Sequence, residues 1–512
     1  MNTNIIRDKL RALLASVGKD GGLITPSVYD TAVVLHSGVF PEREAQARVI
    51  DWILGQQQVD GGFGLPWVPR ARDLPTLAVL VALHPRRDST SRVRAAYDAA
   101  LRFLGGQAEH WGEGLSDDIL VGLELLLPWL FEEAHSLGIS VDPRPYSALF
   151  RQGDLRRAQM RQKTPSAGSA QAYSWEAWGT DPTREILDAS GSVGHSPAAT
   201  AMWLRAARKR PDLADERARA RQYLVRASEC TESDIPGVLP TAWPINRFEQ
   251  VWSLYALTAL DLLHDPHLRG EVEAQMLDMA NAIRPEGLGM ADAFTGDGDI
   301  TATALAALAR AGTPGSLDVL RRFERGGTYI TYMAEIQPSL TTNAHALHAL
   351  VEHGRSAPLP VVQFLTERQQ ANGRWLGDKW HSSWLYTTAQ VGMCMRRAGQ
   401  DRPAGEALTA VMNSQRPDGS WGNGEASTPA QTAYAMHFLF SSRGVPEVRA
   451  GVDTALRSAR QWLLANHDVG RNPADLSWIA KTLYCPLRVD RAWVLSALLA
   501  TSDEPTTTRA HR

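Results

Sequence analysis

Ile5, Leu10, Leu13, Leu14 and Val17 recur at helical spacing and predict a first helix over 5–17 with one apolar stripe. Residues 19–25 break it, and Thr25-Pro26-Ser27 has the form of a helix start. Downstream, Ala/Leu-rich stretches of ordinary helix length alternate with clusters of Gly, Pro and Asp; 301–311 is one such stretch. Alternation of period two is scarce. The expected fold class is therefore all-α.

A repeat runs through this background. Gln57-Gln58-Val59-Asp60-Gly61-Gly62-Phe63 recurs as Gln369-Gln370-Ala371-Asn372-Gly373-Arg374-Trp375 and as Gln415-Arg416-Pro417-Asp418-Gly419-Ser420-Trp421. Each copy follows a predicted amphipathic helix, at 49–56, 361–368 and 406–414. Asp or Asn with Gly turns the chain at a helix end. The aromatic is expected to stack on the Gln side chain and tie one helix end to the next helix start. Asp188-Ala189-Ser190-Gly191-Ser192-Val193 has some of this character but is too degenerate to count as a copy. One copy in the N-terminal half and two in the C-terminal half suggest two barrel-like helical domains.

Composition narrows the picture. The 512 residues leave room for two or three domains, and a net charge of −3 gives no reason to expect a nucleic-acid partner. Cys230, Cys394 and Cys485 form neither a disulfide framework nor a metal cluster, which fits a reducing cytoplasm. No run reaches membrane-span length and the N-terminus lacks the apolar core of a signal peptide, so a cytoplasmic protein without stable membrane insertion is expected. The oligomeric state is left open. Residues 205–235 read as a solvated helix and loop, and 503–512 as a disordered tail. Sixteen Trp supply core, or π faces for a cationic guest.

The candidate chemistry centres on Gly296-Asp297-Gly298-Asp299-Ile300-Thr301. Two carboxylates this close cannot both ionise freely, so one keeps a proton for donation. An ordinary N-cap is the competing reading. An EF-hand is excluded, because the twelfth position from Asp297 is Leu308. Asp117-Asp118-Ile119-Leu120-Val121 lacks the third acid of a metal-binding Asp-Asp-x-x-Asp cluster.

These motifs resemble those of bacterial class II terpene cyclases, and the resemblance covers almost the whole chain in order. Besides the repeats and the Asp-x-Asp turn, it rests on Pro26-Ser27-Val28-Tyr29-Asp30-Thr31-Ala32, Ser196-Pro197-Ala198-Ala199-Thr200-Ala201 and Phe248-Glu249-Gln250-Val251-Trp252. Asp378-Lys379-Trp380-His381 and Trp478-Ile479-Ala480-Lys481-Thr482-Leu483-Tyr484 complete it. The last segment is most similar to the branch that makes halimadienyl (tuberculosinyl) diphosphate. Three positions depart from the pattern: Ile300 replaces the final Asp of Asp-x-Asp-Asp, Arg70-Ala71-Arg72 replaces acids associated with magnesium, and Gln431 in Pro429-Ala430-Gln431 replaces a usual Glu.

The resemblance implies two α/α barrels in the βγ arrangement. Residues 1–20 are then the first helix of the C-terminal barrel, 21–265 an inserted barrel, and 266–512 the remainder. It implies a general acid at Asp299 tuned by Asp297, with Asn343 either hydrogen-bonded to the acid or capping a helix. Trp252, Tyr332, Trp380, Trp384, Tyr386 and Trp478 are the candidate π faces, against a plain packing role. Lys379 and Lys481 are the candidate diphosphate contacts, against solvated surface charge. The implied substrate is a prenyl diphosphate, geranylgeranyl diphosphate first, with a drimenyl-type farnesyl diphosphate cyclase or an inactive prenyl-diphosphate-binding relative as alternatives. A zinc-dependent protein prenyltransferase subunit fits poorly, for want of a ligand cluster. Magnesium is the implied cofactor, and the lost acids count against it.

Overall fold

A computed structural model describes residues 1–40, 42–111, 120–162, 166–333, 335 and 338–502. Asp117, Asp118, Ile119 and the 503–512 tail lie outside the described residues. The described chain is helical apart from two short antiparallel hairpins and isolated bridges. No described helix is long and apolar enough to cross a membrane.

The chain divides into two compact units. One comprises residues 1–22, 245–477 and 485–512, and the other 23–244 and 478–484. The second unit closes a ring from α2 (Val28–Ser37), α3 (Asp73–Leu83), α4 (Leu123–Ser136), the 3₁₀ segment Ala170–Ala177, and α5 (Pro197–Ala206). Every residue of α3 is buried, as a helix walled on all sides requires. The long segment of this unit ends at Pro244, where 265 was expected from sequence, because the next helix packs in the other ring.

The first unit begins with α1 (Thr3–Ser16). It then closes a six-helix ring: α6 (Asn246–Ala259), α7 (Gly298–Arg310), α8 (Leu340–Glu352), α9 (Trp384–Arg397), α10 (Pro429–Ser441), and α11 (Leu487–Ala500), which returns to α6. Outer helices carry only a stripe. Arg449–Ala465 buries Val452, Leu456, Ala459 and Leu463, at i, i+4, i+7 and i+11. Buried Glu249, from the Phe-Glu-x-x-Trp segment, accepts from the Gly18 amide at 2.9 Å and Arg488 at 3.1 Å, holding the chain just after α1.

Each repeat turn joins an outer helix to the next ring helix. Gln57, Gln369 and Gln415 each donate through the side-chain amide to the Gly carbonyl of their own turn (2.9, 3.0 and 2.9 Å). Each also donates to a carbonyl of the following outer helix: Ala96, Pro403 and Ala455, at 2.8, 2.9 and 2.9 Å. The tie is thus a forked hydrogen bond from the Gln amide. The indole N–H of Trp375 and Trp421 reaches back to Leu365 and Val411 carbonyls. A Cβ on Gly373, at φ +82°, would meet the Glu406 carbonyl at 2.4 Å, so no larger residue fits.

The segment dismissed as degenerate is a fourth copy. The Val193 amide donates to Thr200 Oγ1 at 2.9 Å, as Phe63, Trp375 and Trp421 do to Thr76, Thr388 and Thr432. Its Gly191 sits at positive φ against the Arg219 carbonyl. Asp188 replaces the Gln-side contacts by holding Ser190 and Ser192, which hid the match.

Candidate active site

A variant of the same device, at Gly287-Leu288, precedes the Asp-x-Asp turn and α7. Leu288 donates its amide to Thr301 Oγ1 (2.9 Å), and its carbonyl accepts from the Asp297 amide (3.0 Å). The Gly298 amide donates to the Thr331 carbonyl at 2.9 Å, and a Cβ there would meet the Ile330 carbonyl at 2.3 Å. The turn is therefore fixed from both sides.

The two carboxylates do different work. Asp297 caps α7, accepting the Asp299 and Ile300 amides at 2.8 and 3.0 Å. Asp299 turns across to α8, where His345 Nδ1 lies 2.6 Å from its Oδ1. Thr341 Oγ1 lies between Asp299 Oδ2 (3.4 Å) and Asp378 Oδ2 (2.9 Å). Both aspartates are buried. Burial first, and then the charge of Asp299, pushes Asp297 up to about 8; backbone amides and the Tyr332 hydroxyl pull the other way. The pair thus holds a proton where a lone carboxylate would have lost it.

That displacement has two expected consequences. Activity that needs the pair's proton should fall as pH rises through about 8. A carboxyl raised when folded is also protonated longer in the folded state than in the unfolded one, where it titrates near about 4. It therefore removes stability as pH climbs from about 4 to about 8, and neither below nor above that window. Melting temperatures against pH for the wild type and Asp297→Asn should diverge across that interval, and parallel curves would contradict the assignment.

Asn343 does not meet the acid. Its amide nitrogen donates to the Tyr329 and Ser339 carbonyls (2.9 and 2.8 Å), and its oxygen accepts the Tyr329 amide (2.8 Å). Two residues along a helix is about 200°, so Asn343 and His345 face nearly opposite ways. His345 takes the acid instead, and its Nε2 lies 3.2 Å from Gln390 Oε1 on α9.

The aromatic candidates separate. Trp252 is buried with its ring 4.9 Å from His345 and 6.5 Å from Tyr386. Tyr386 stacks on His381 at 3.9 Å and meets Tyr434 edge-on at 5.0 Å. Sequence reasoning had not singled out Tyr434, nor Trp493 beside it at 5.4 Å. Tyr332 and Trp380 pair edge-on at 5.8 Å. At Trp384 the Arg374 guanidinium lies 3.8 Å from the ring, which is already serving a cation. Trp478 is buried on the hairpin Trp478–Ile479/Leu483–Tyr484 of the second unit.

Both lysines are in ion pairs rather than in solvent. Lys379 is part-buried and paired with Glu335. Lys481 is wholly buried in the second unit, bonded to Glu176 and, at 2.6 Å, to Ser196 Oγ. Around it three of the family segments converge. Tyr29 donates to Glu176 (3.0 Å), Ser27 to Asp30 (2.7 Å), and Thr482 to Ser27 (3.2 Å).

The region of the lost acids does not suit magnesium, which wants hard oxygen donors. Arg70 donates to the His110 carbonyl and Arg72 forks onto Asp60. Gln431 accepts from Ser383 instead of presenting a carboxylate. Among the described residues no group of three His, Cys, Asp or Glu is placed to hold a metal.

No protein-family model matches the chain. It is 40% identical to (+)-kolavenyl diphosphate synthase of Herpetosiphon aurantiacus over 515 residues, covering 97% of this chain and 98% of that one. It is 33% identical to ent-copalyl diphosphate synthase of a Streptomyces species, over 94% of this chain and 93% of the relative. The solved ent-copalyl diphosphate synthase of Streptomyces platensis superposes with a TM-score of 0.80 at 28% identity, covering 97% and 99% of the two chains. Identity of this order along nearly the full length, with an acid pair at the start of α7, settles the family: the chain belongs to the bacterial class II diterpene cyclases.

Proposed function

We propose that the chain converts geranylgeranyl diphosphate into a bicyclic diterpenyl diphosphate, starting by protonation and leaving the diphosphate attached. The observation that carries this is the Asp299–His345 contact at 2.6 Å between two ring helices, beside a second carboxyl pushed up to about 8. Asp299 breaks its O–H bond and forms a C–H bond at the alkene farthest from the diphosphate. The resulting cation closes two rings and then loses a proton. His345 Nδ1, 2.6 Å from Asp299 Oδ1, donates to the carboxylate left behind when the ring is protonated, without reorganisation at the moment of transfer.

Trp252, whose ring lies 4.9 Å from His345, and Tyr386, Tyr332 and Trp380 in the same unit are the proposed π faces for the cation. Lys379, which keeps some solvent access, is the proposed diphosphate contact; a diphosphate at Lys481 would have to displace Glu176.

Mass spectrometry of the purified protein with geranylgeranyl diphosphate tests the reading. The expected product is isomeric with the substrate, becomes an extractable alcohol only after phosphatase, and appears without inorganic pyrophosphate. Pyrophosphate release in step with turnover would contradict it. Turnover of farnesyl diphosphate alone would move the assignment to the fifteen-carbon substrate, and no product from either would favour a binding protein.

A further inference from the structure

Gln390 lies on α9, fully buried. Its Oε1 is 3.2 Å from His345 Nε2, and its own Nε2 is buried with no hydrogen-bond partner among the described residues. A buried amide left half-satisfied is a cost that a Leu in its place would avoid, so its presence asks for a purpose. An amide oxygen only accepts, so His345 must bring Nε2–H to it. A neutral imidazole has one N–H. With that hydrogen spent on Gln390, Nδ1 bears a lone pair and can only accept from Asp299. To donate to the Asp299 carboxylate, the ring must be imidazolium.

We propose that Gln390 is a positioning residue of the protonation step, fixing His345 in the Nε2–H form so that the ring donates to the Asp299 carboxylate only as a cation. The inference rests on the reading of Asp299 as the donor. The working acid then carries one proton on Asp299 Oδ2 and one on His345 Nδ1. On transfer the Oδ2–H bond breaks, its electron pair stays on Asp299, and a C–H bond forms at the alkene. The product is a carboxylate beside an imidazolium, which lowers the cost of forming it. A proton from solvent restores Oδ2. Without the amide oxygen the ring is free to adopt the Nδ1–H tautomer, a neutral donor meets the carboxylate, and the acid is weaker.

Apart from the carboxyls on α7, the other groups facing the ring keep a fixed charge over the useful range. Tyr255 on α6 is pushed well above the usual phenol value by burial. Burial raises Cys394 on α9 to about 12 and lowers His348, on the ring's own helix, to about 4. Trp252 is uncharged. Asp297, at about 8, and Asp299 are the facing carboxyls on α7. A pH limb that shifts with Gln390 while Asp297 is untouched therefore reports the His345–Asp299 pair.

The test is the pH profile of kcat/KM for the wild type, Gln390→Leu and Gln390→Glu, with Asp299→Asn alongside. Gln390→Leu is expected to lose about 10²-fold and to lose the ring's limb. Gln390→Glu, whose carboxylate still accepts Nε2–H, should keep turnover and move that limb upward by about one pH unit. A merely structural Gln would leave the limb in place in both variants, and that result overturns the proposal. The tautomer is read separately by ¹⁵N NMR of histidine-labelled wild-type protein, with His345→Asn assigning the signal. Nε2–H in the neutral ring is expected, and Nδ1–H overturns the proposal even if both variants fold poorly. Substantial activity in Asp299→Asn would remove the donor reading itself, whereas an inactive Asp299→Asn with unmoved profiles removes only the role of Gln390.

Discussion

Asp299→Asn is expected to leave a folded protein whose turnover is lower by at least about 10³-fold. The substitution preserves shape and an oxygen for His345 but abolishes the acidic proton. Asp297 offers no substitute, because its carboxylate is committed to the amides of Asp299 and Ile300 at the start of α7. Asp297→Asn retains a capping oxygen and removes only the neighbouring titration, so its loss should be smaller, about 10-fold to 10²-fold. Product formation under single-turnover conditions, with melting temperature as the folding control, separates the two. Near-normal turnover in Asp299→Asn, or a larger loss in Asp297→Asn, would reverse the assignment.

Lys481→Ala is expected to act on stability before it acts on substrate binding. The ammonium and Glu176 are both wholly buried and bonded to each other. Removing one partner strands the other charge, at a cost of about 3–5 kcal/mol. For a unit of this size that is a fall of about 5–10 °C in melting temperature. The Lys481→Met/Glu176→Leu double variant removes both charges and should recover most of the loss. If Lys481 instead bound diphosphate, Lys481→Ala would melt normally and raise KM alone.

How far the residues announced this can be judged from those same positions. Asp297 and Asp299 were legible as a pair because their spacing and glycine frame are local. The competing cap reading was also correct, for Asp297: one carboxylate caps and the other reaches out. His345 was hidden beside Asn343, since one stretch of helix presents both and only the placement of α8 against α7 selects between them. Gln390 carried no signal, because a lone Gln between the apolar neighbours Ala389 and Val391 looks like any other polar interruption. The ion pairs of the lysines were hidden for a related reason. Sequence shows the charge but not the carboxylate far along the chain that neutralises it, and Glu176 is 305 positions from Lys481. The ring helices themselves were legible in kind, because repeat turns are local, whereas the return of 478–484 to the second unit is not.

That return, together with the early position of α1, sets an order of assembly. α1 is made before the other described helices, yet it packs against α11 and Arg269–Ala282, so its apolar stripe waits for α11 to be synthesised. Meanwhile the polypeptide from 23 to 244 can collapse on local contacts, but with the Lys481 site empty, leaving Glu176 and Asp30 buried without their cation. Maturation should therefore come late and in one step, when residues beyond about 480 arrive and supply both missing pieces. Until then the nascent chain presents an uncovered amphipathic helix and an unfinished ion pair, the condition in which chaperone binding, rather than the ribosome's pace, governs yield.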